Sequence, residues 1–167
     1  MIIQSAKHMF GLRGFNRAGI DLIVENSTIS KQTFYNYFTS KENLIKLTLE
    51  NVIEEEKVSL FSHIEKFDGK ISKLKAYYDW HVNEHEKNKL TGSLVLVAAI
   101  ELSNHEDINK VLNDYSEWKL SILNIILKKI DKVKINIIIG LLNNALLPDS
   151  IMNYKQKWSD IEYILDL

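Results

Sequence analysis

Two groups of side chains have types and spacings that could do chemistry. His81-Val82-Asn83-Glu84-His85 fits the pattern H-x-x-E-H. Two imidazoles at i and i+4 share one helix face and could hold a metal ion, with Glu84 as the general base of a metal-dependent hydrolase. That reading needs a third ligand and a large substrate chamber, and a chain of 167 residues offers neither in its sequence. Ordinary packing, or contact with an organic ligand, is the competing account of His81 and His85, and no metal is expected. The second group is Lys31-Gln32-Thr33, with Asn36 one helical turn on. A glutamine amide can pair with adenine through two hydrogen bonds, and a lysine ammonium can donate to guanine O6 and N7 or to a phosphate.

The elements that must carry these groups are helices. Hydrophobic residues make up 46% of the chain and charged residues 26%, the balance of a folded globular protein. The single proline, Pro148, and six scattered glycines leave long helices almost uninterrupted. An all-α fold is therefore expected. Ile3, Ala6, Met9 and Phe10 mark a first amphipathic helix, which Gly14 should end in a left-handed C-cap. Ile20, Ile23 and Val24 mark a second helix of about two turns, capped by Asn16 or Gly19. Ser27-Thr28-Ile29 makes a tight connection, and Ser30 is a good N-cap for a third helix over Lys31 to Tyr37. Two short helices joined by such a turn outline a helix-turn-helix.

Thr39 with Glu42 reads as a capping box opening a long fourth helix, which should run to about Leu60 or Phe67. Beyond Asp68-Gly69, the stripe Ile71, Leu74, Tyr78, His81, His85 shares one helix face, so both histidines should point inward. Ser93 to Leu102 is apolar on all sides and should be fully surrounded. A further helix is expected from about Asp107 through Val111, Tyr115, Trp118, Ile122 and Ile125, then Val133 to Leu147, and a last helix carrying Ile151, Tyr154, Trp158, Ile161 and Leu165.

Bulk properties exclude some functions. Cysteine is absent, so disulfides and thiolate metal sites are ruled out. The first residues lack the features of a signal peptide, and the longest apolar run, Leu94 to Ile100, is too short to span a bilayer. A cytoplasmic location without a membrane partner is expected. Net charge is −1, but residues 1–50 carry six Lys/Arg against four Asp/Glu, a mild local excess of positive charge.

From Ile2 to about Glu50 the sequence resembles the DNA-binding domain of the TetR family of bacterial regulators. Thr33-Phe34-Tyr35-Asn36-Tyr37-Phe38-Thr39-Ser40-Lys41-Glu42-Asn43-Leu44 looks like that family's T-[LF]-Y-x-[HY]-F-x-[SN]-K-E-x-L core, and Ala6, Phe10, Gly14-Phe15, Ile20, Ile23 and Ile29-Ser30-Lys31 fall in register upstream. The resemblance implies an N-terminal helix-turn-helix domain, residues 1–46, joined by a long helix to a helical effector-binding and dimerisation domain, residues 47–167. It implies a homodimer that holds a palindromic operator in double-stranded DNA, a repressor in the family's usual sense, released by a small-molecule effector, without catalytic residues or a cofactor. A ligand-independent activator or nucleoid-associated protein is the alternative. Lys31, Gln32, Thr33 and Asn36 would then read bases. Tyr35, Tyr37 and Lys41 would hold phosphates, Lys41 aided by the free N–H groups of the first turn of helix four. Core packing is the competing account of the two tyrosines, and Phe34 and Phe38 are expected in the core.

Three departures from the family pattern stand out: Thr28 where a glycine is frequent, Ala18-Gly19 where Thr-Thr is frequent, and a first helix without a preceding basic arm. The last removes possible phosphate contacts, which implies modest affinity or a start further upstream. In the C-terminal part the resemblance implies an aromatic effector pocket from Tyr77, Tyr78, His81, His85, Tyr115 and Trp118, for which a plain aromatic core is the alternative. By the same resemblance, Ile138, Leu141, Leu142, Ala145, Tyr154, Trp158, Ile161 and Leu165 are candidates for the dimer interface.

Overall fold

The structure is a computed structural model that describes residues 2–87, 93–128, 130–145 and 157–164. Every regular element among them is helical: α1 (Ile2–Arg17), α2 (Ile20–Glu25), α3 (Lys31–Tyr37), α4 (Lys41–Ile64), α5 (Lys70–Lys87), α6 (Leu94–Glu101), α7 (Glu106–Ile126), α8 (Lys132–Ala145) and α9 (Trp158–Ile164). No helix among the described residues is long and apolar enough to cross a membrane. Backbone contacts divide the chain into two compact units, Met1–Val58 with Asn88–Glu117, and Ser59–Lys87 with Trp118–Leu167.

In the first unit, apolar residues at helical spacing converge on one core. Ala6, Met9 and Phe10 of α1, Ile23 of α2, Phe34 of α3, and Leu44, Leu49 and Val52 of α4 pack with Leu94, Ala98 and Leu102 from α6 and its end, and with Ile108 of α7. The expected C-cap at Gly14 takes a different form. Its φ is +77° but its ψ is 167°, so it kinks the helix, which resumes to Arg17. Glu101 packs against that kink. The backbone N–H of Asn16 donates to Glu101 Oε2 at 2.9 Å, and a Cβ at Gly14 would collide with Glu101 Oε1. Glycine alone takes that positive φ without strain, and a side chain there would push the Glu101 carboxylate away from the Asn16 N–H. Inside α4, the buried Thr48 hydroxyl donates back to the Leu44 carbonyl at 2.7 Å, which keeps a polar group satisfied in an apolar setting.

Helices α4 and α6 depart from expectation. Helix α4 is opened by Ser40, whose Oγ accepts from the Asn43 backbone N–H at 3.1 Å, rather than by Thr39. Helix α6 is not surrounded on all sides. It buries Leu94 and Ala98 while Ile100 is 70% exposed, because a helix of 8 residues packed along one stripe leaves its other face in solvent however apolar it is.

The second unit has its own core, formed by Leu60 and Ile64 at the end of α4, Leu74, Tyr77 and Trp80 of α5, Leu123 and Ile126 of α7, Ile138 and Leu142 of α8, and Ile161 of α9. Helix α5 buries Leu74 and His81 of the expected stripe, and its inner face is wider than that stripe. Tyr77 and Trp80 are buried, whereas Tyr78 is half-buried and its ring lies 5.8 Å from that of Trp158. Ile125, expected on the inner face of α7, is 70% exposed, and Leu123 and Ile126 are buried instead.

Candidate nucleic-acid interface

The first unit sets two short helices around a turn held by local hydrogen bonds. Asn26 closes α2, its backbone and side-chain N–H groups both donating to the Leu22 carbonyl, at 3.2 and 2.8 Å. The Ser27 hydroxyl donates to Val24 O at 2.8 Å and accepts from the Ile29 N–H at 3.3 Å. Ser30 caps α3 as expected, its Oγ accepting from the Thr33 N–H at 3.0 Å and lying 2.8 Å from Thr33 Oγ1. Such a cap satisfies a helix donor that would otherwise have no partner and fixes where α3 begins.

The orientation of α3 follows from Phe34 and Phe38, four residues apart. Both are buried, with ring centroids 5.2 Å apart. With that stripe held in the core, Lys31, Gln32, Tyr35, Asn36 and Tyr37 are exposed and Thr33 is half-buried. Tyr35 is 53% exposed and Tyr37 75%. The Tyr35 ring meets the Phe34 ring edge-on at 5.2 Å, which steadies it without burying the hydroxyl. Core packing therefore does not account for either tyrosine.

Lys41 stands in the first turn of α4, as expected, and its ammonium donates to the Asn16 carbonyl at 3.2 Å. Next to it, hydrogen bonds from its own backbone N–H and from the Ser40 hydroxyl hold the Glu42 carboxyl below its usual range. Lys31 Nζ lies 2.7 Å from Asp21 Oδ1 of α2. Hydrogen bonding to that carboxylate and its charge raise the Lys31 ammonium above its usual value. Sequence reasoning misses both Asp21 and Glu101. Glu101 has a signal, as the one charged residue in an apolar run; Asp21 has only its place in the first turn of α2.

The residues expected to line an effector pocket fall in both units, and each is described within its own. In the first, the buried Tyr115 donates its hydroxyl to Glu56 Oε2 at 2.6 Å. In the second, the buried His81 lies with its ring 4.3 Å from that of Tyr77 and 4.9 Å from that of Trp80. His81 Nδ1 is 2.9 Å from the Tyr77 carbonyl. A carbonyl only accepts, so Nδ1 carries the proton and Nε2 presents a lone pair. Nε2 has no hydrogen-bond partner among the described residues. Burial pulls this imidazole down to about 4, despite the carbonyl bond that favours its charged form. Burial likewise pushes the Tyr77 phenol up. Trp118 is half-buried against the same core.

The side chain of His85 lies outside the described residues. Glu84 is paired with Lys87 at 2.6 Å, and among the described residues no group of three or more metal-ligating side chains converges.

Of the dimer candidates, Ile138, Leu142 and Ile161 are already buried within the single chain and present no surface to a second copy. Leu141 and Trp158 are half-buried against the same core. The side chains of Ala145, Tyr154 and Leu165 lie outside the described residues. Exposed apolar side chains on α8 and α9 include Val133, Ile137 and Tyr163.

Residues 2–48 match the model of the family described as bacterial regulatory proteins, tetR family. No curated protein matches the chain by sequence. Several solved structures are similar over nearly its whole length, three of which follow. A TetR-family transcriptional regulator from Streptomyces coelicolor, SCO4454, aligns with a TM-score of 0.79 at 16% identity, over 99% of this chain and 86% of its own. The reduced form of E. coli NemR aligns with a TM-score of 0.78 at 18% identity, over 99% and 92%. The transcriptional regulator FadR from Bacillus subtilis, in complex with stearoyl-CoA, aligns with a TM-score of 0.74 at 17% identity, over 99% and 95%.

Proposed function

We propose that this chain, which belongs to the TetR family through its N-terminal residues, binds a palindromic operator in double-stranded DNA as a homodimer and represses transcription until a small-molecule effector releases it. The observation that carries this reading is the exposed edge of α3, which offers Gln32, Asn36 and two tyrosine hydroxyls from a helix anchored by Phe34 and Phe38. Gln32 and Asn36 pair with adenine edges, Lys31 with guanine or phosphate, and Thr33 adds a short-range base contact. Tyr35, Tyr37 and Lys41 grip phosphates on either side.

In this reading the effector binds among the C-terminal helices, and two copies join through the outer faces of α8 and α9. The aromatic interior around Tyr77 and His81 supports an organic effector over an ion. FadR from Bacillus subtilis, which holds stearoyl-CoA, is a structural neighbour that takes an organic ligand. Release is a shift between two dimer geometries that set different spacings of the two α3 helices. Glu101, at the end of α6, holds the kink of α1 and is one route for that shift to reach the DNA-binding edge. No step requires a catalytic side chain or a resident cofactor.

Selection of duplexes from a random pool, followed by affinity measurements over a range of salt, tests the DNA-binding core of this reading. Gln32→Ala should cost about 1–3 kcal/mol on the selected operator and leave scrambled duplexes nearly unaffected. Lys41→Ala should weaken both kinds of duplex and flatten the salt dependence by about 0.9 for each phosphate that is no longer neutralised. A wild-type protein that enriches no duplex, or a Gln32 variant that loses equally on operator and scrambled DNA, would sink the assignment.

A further inference from the structure

The sequence Lys31 to Tyr37 carries a single charged residue, Lys31, and that charge is not free. Its ammonium is paired at 2.7 Å with Asp21, and both side chains are largely exposed, at 57% and 69%. Asp21 lies in the first turn of α2, where the helix dipole favours an acid. Lys31 is the first residue of α3, where the dipole disfavours a cation, so Asp21 supplies what that site lacks. Surface ion pairs contribute little to folding stability, so holding the fold together is a weak reason for this one. Its larger consequence is electrical: a phosphate that approaches Lys31 also meets the Asp21 carboxylate.

Resting on the DNA-binding reading above, we propose that Asp21 is a specificity-determining residue, which screens Lys31 from phosphates and so suppresses sequence-independent binding to DNA. A phosphate offers one charge-to-charge contact, which the carboxylate opposes. A guanine offers two acceptors, O6 and N7, and can take the ammonium's remaining protons while Asp21 keeps one. The pair thus leaves Lys31 usable at a matching base and poorly usable along the backbone. Discrimination arises from a repulsive element placed beside an attractive one.

The probe is a fluorescein-labelled duplex of scrambled sequence, titrated with the full-length protein from about 50 to 200 mM salt. Asp21→Asn should tighten binding several-fold at the low end. It should also steepen the salt dependence by about 0.9 for each subunit whose Lys31 takes up a phosphate, so that affinity falls by about a further tenfold across the range when both do. The same substitution in a Lys31→Gln background should have no such effect, which separates release of Lys31 from simple loss of a negative charge. Unchanged affinity and slope in Asp21→Asn would overturn the proposal, as would tightening that persists without Lys31. A wild-type protein that binds no duplex at all would instead overturn the DNA-binding reading beneath it. Circular dichroism of each variant, with helical content equal to that of the wild type expected, ties the change in slope to the pair; tightening that tracks a loss of helix would count against the proposal.

Discussion

The two units bury different chemistry. The first closes over phenylalanines and aliphatic side chains, with Phe10, Phe15 and Phe34 fully inside, and its buried Thr48 is satisfied by the turn below it. The second closes over Tyr77, Trp80 and His81, and among the described residues His81 Nε2 is the one buried side-chain nitrogen or oxygen without a hydrogen-bond partner. An apolar core fixes a platform and asks nothing further of its surroundings. A core that contains an unmet acceptor has free energy to regain from any group that supplies a proton.

Core truncation should break the comparison most severely. Phe34→Ala removes the anchor of α3 and should cost about 3–5 kcal/mol in urea or thermal unfolding, with DNA binding lost at temperatures where the variant still folds. A loss below about 1 kcal/mol would mean that α3 is not held by its phenylalanines.

The next effect is confined to the second unit and depends on pH. An imidazole held at about 4 when folded, against 6.5 as its ordinary value, binds fewer protons folded than unfolded below pH 6.5. Its contribution is complete above pH 6.5 and is lost as pH falls toward 4. At about 1.36 kcal/mol per unit the loss is about 3 kcal/mol. His81→Leu should flatten that part of the stability curve and cost little at neutral pH, because it removes the unmet acceptor with the ring. A variant that keeps the wild-type acid sensitivity would assign it to other groups.

The smallest effect comes from two glycines, one in each unit, and sharpens the contrast between them. Gly14 and Gly69 both have positive φ, +77° and +80°. A methyl group at Gly69 meets open space, whereas at Gly14 it meets Glu101. Gly69→Ala should therefore cost about 1 kcal/mol from backbone strain alone, and Gly14→Ala about 2 kcal/mol or more, with the Glu101→Gln background recovering little. Equal melting temperatures for the two variants would show that the approach of Glu101 adds nothing to the strain of the positive φ.

The helix-turn-helix is legible in the sequence because its determinants are local. Ser30 as a cap, the Phe34–Phe38 spacing, and the exposure of Gln32 and Tyr37 follow from residues within one or two turns of each other. What the sequence hides depends on distant partners. Lys31 reads as a free cation until Asp21, ten positions upstream, is placed beside it. Glu101 reads as the end of an apolar run until its carboxylate meets Asn16, 85 positions away. On helix α5 the stripe finds Leu74 and His81 but not Tyr77 and Trp80, because a single stripe understates how wide a face neighbouring helices cover. The interface candidates on α8 and α9 share that ambiguity, since an apolar face turned to its own subunit looks like one turned to a twin. Ile138 and Ile161 face inward.

Helix α4 gives Leu44, Leu49 and Val52 to one core and Leu60 and Ile64 to the other. A fragment excised after residue 46 would keep the recognition edge but lose Leu49 and Val52, together with Leu94, Ala98, Leu102 and Ile108. The phenylalanines would then stand open to water along the cut. Such a stub would expose that apolar surface and should aggregate, so a well-behaved N-terminal fragment should extend well past α3.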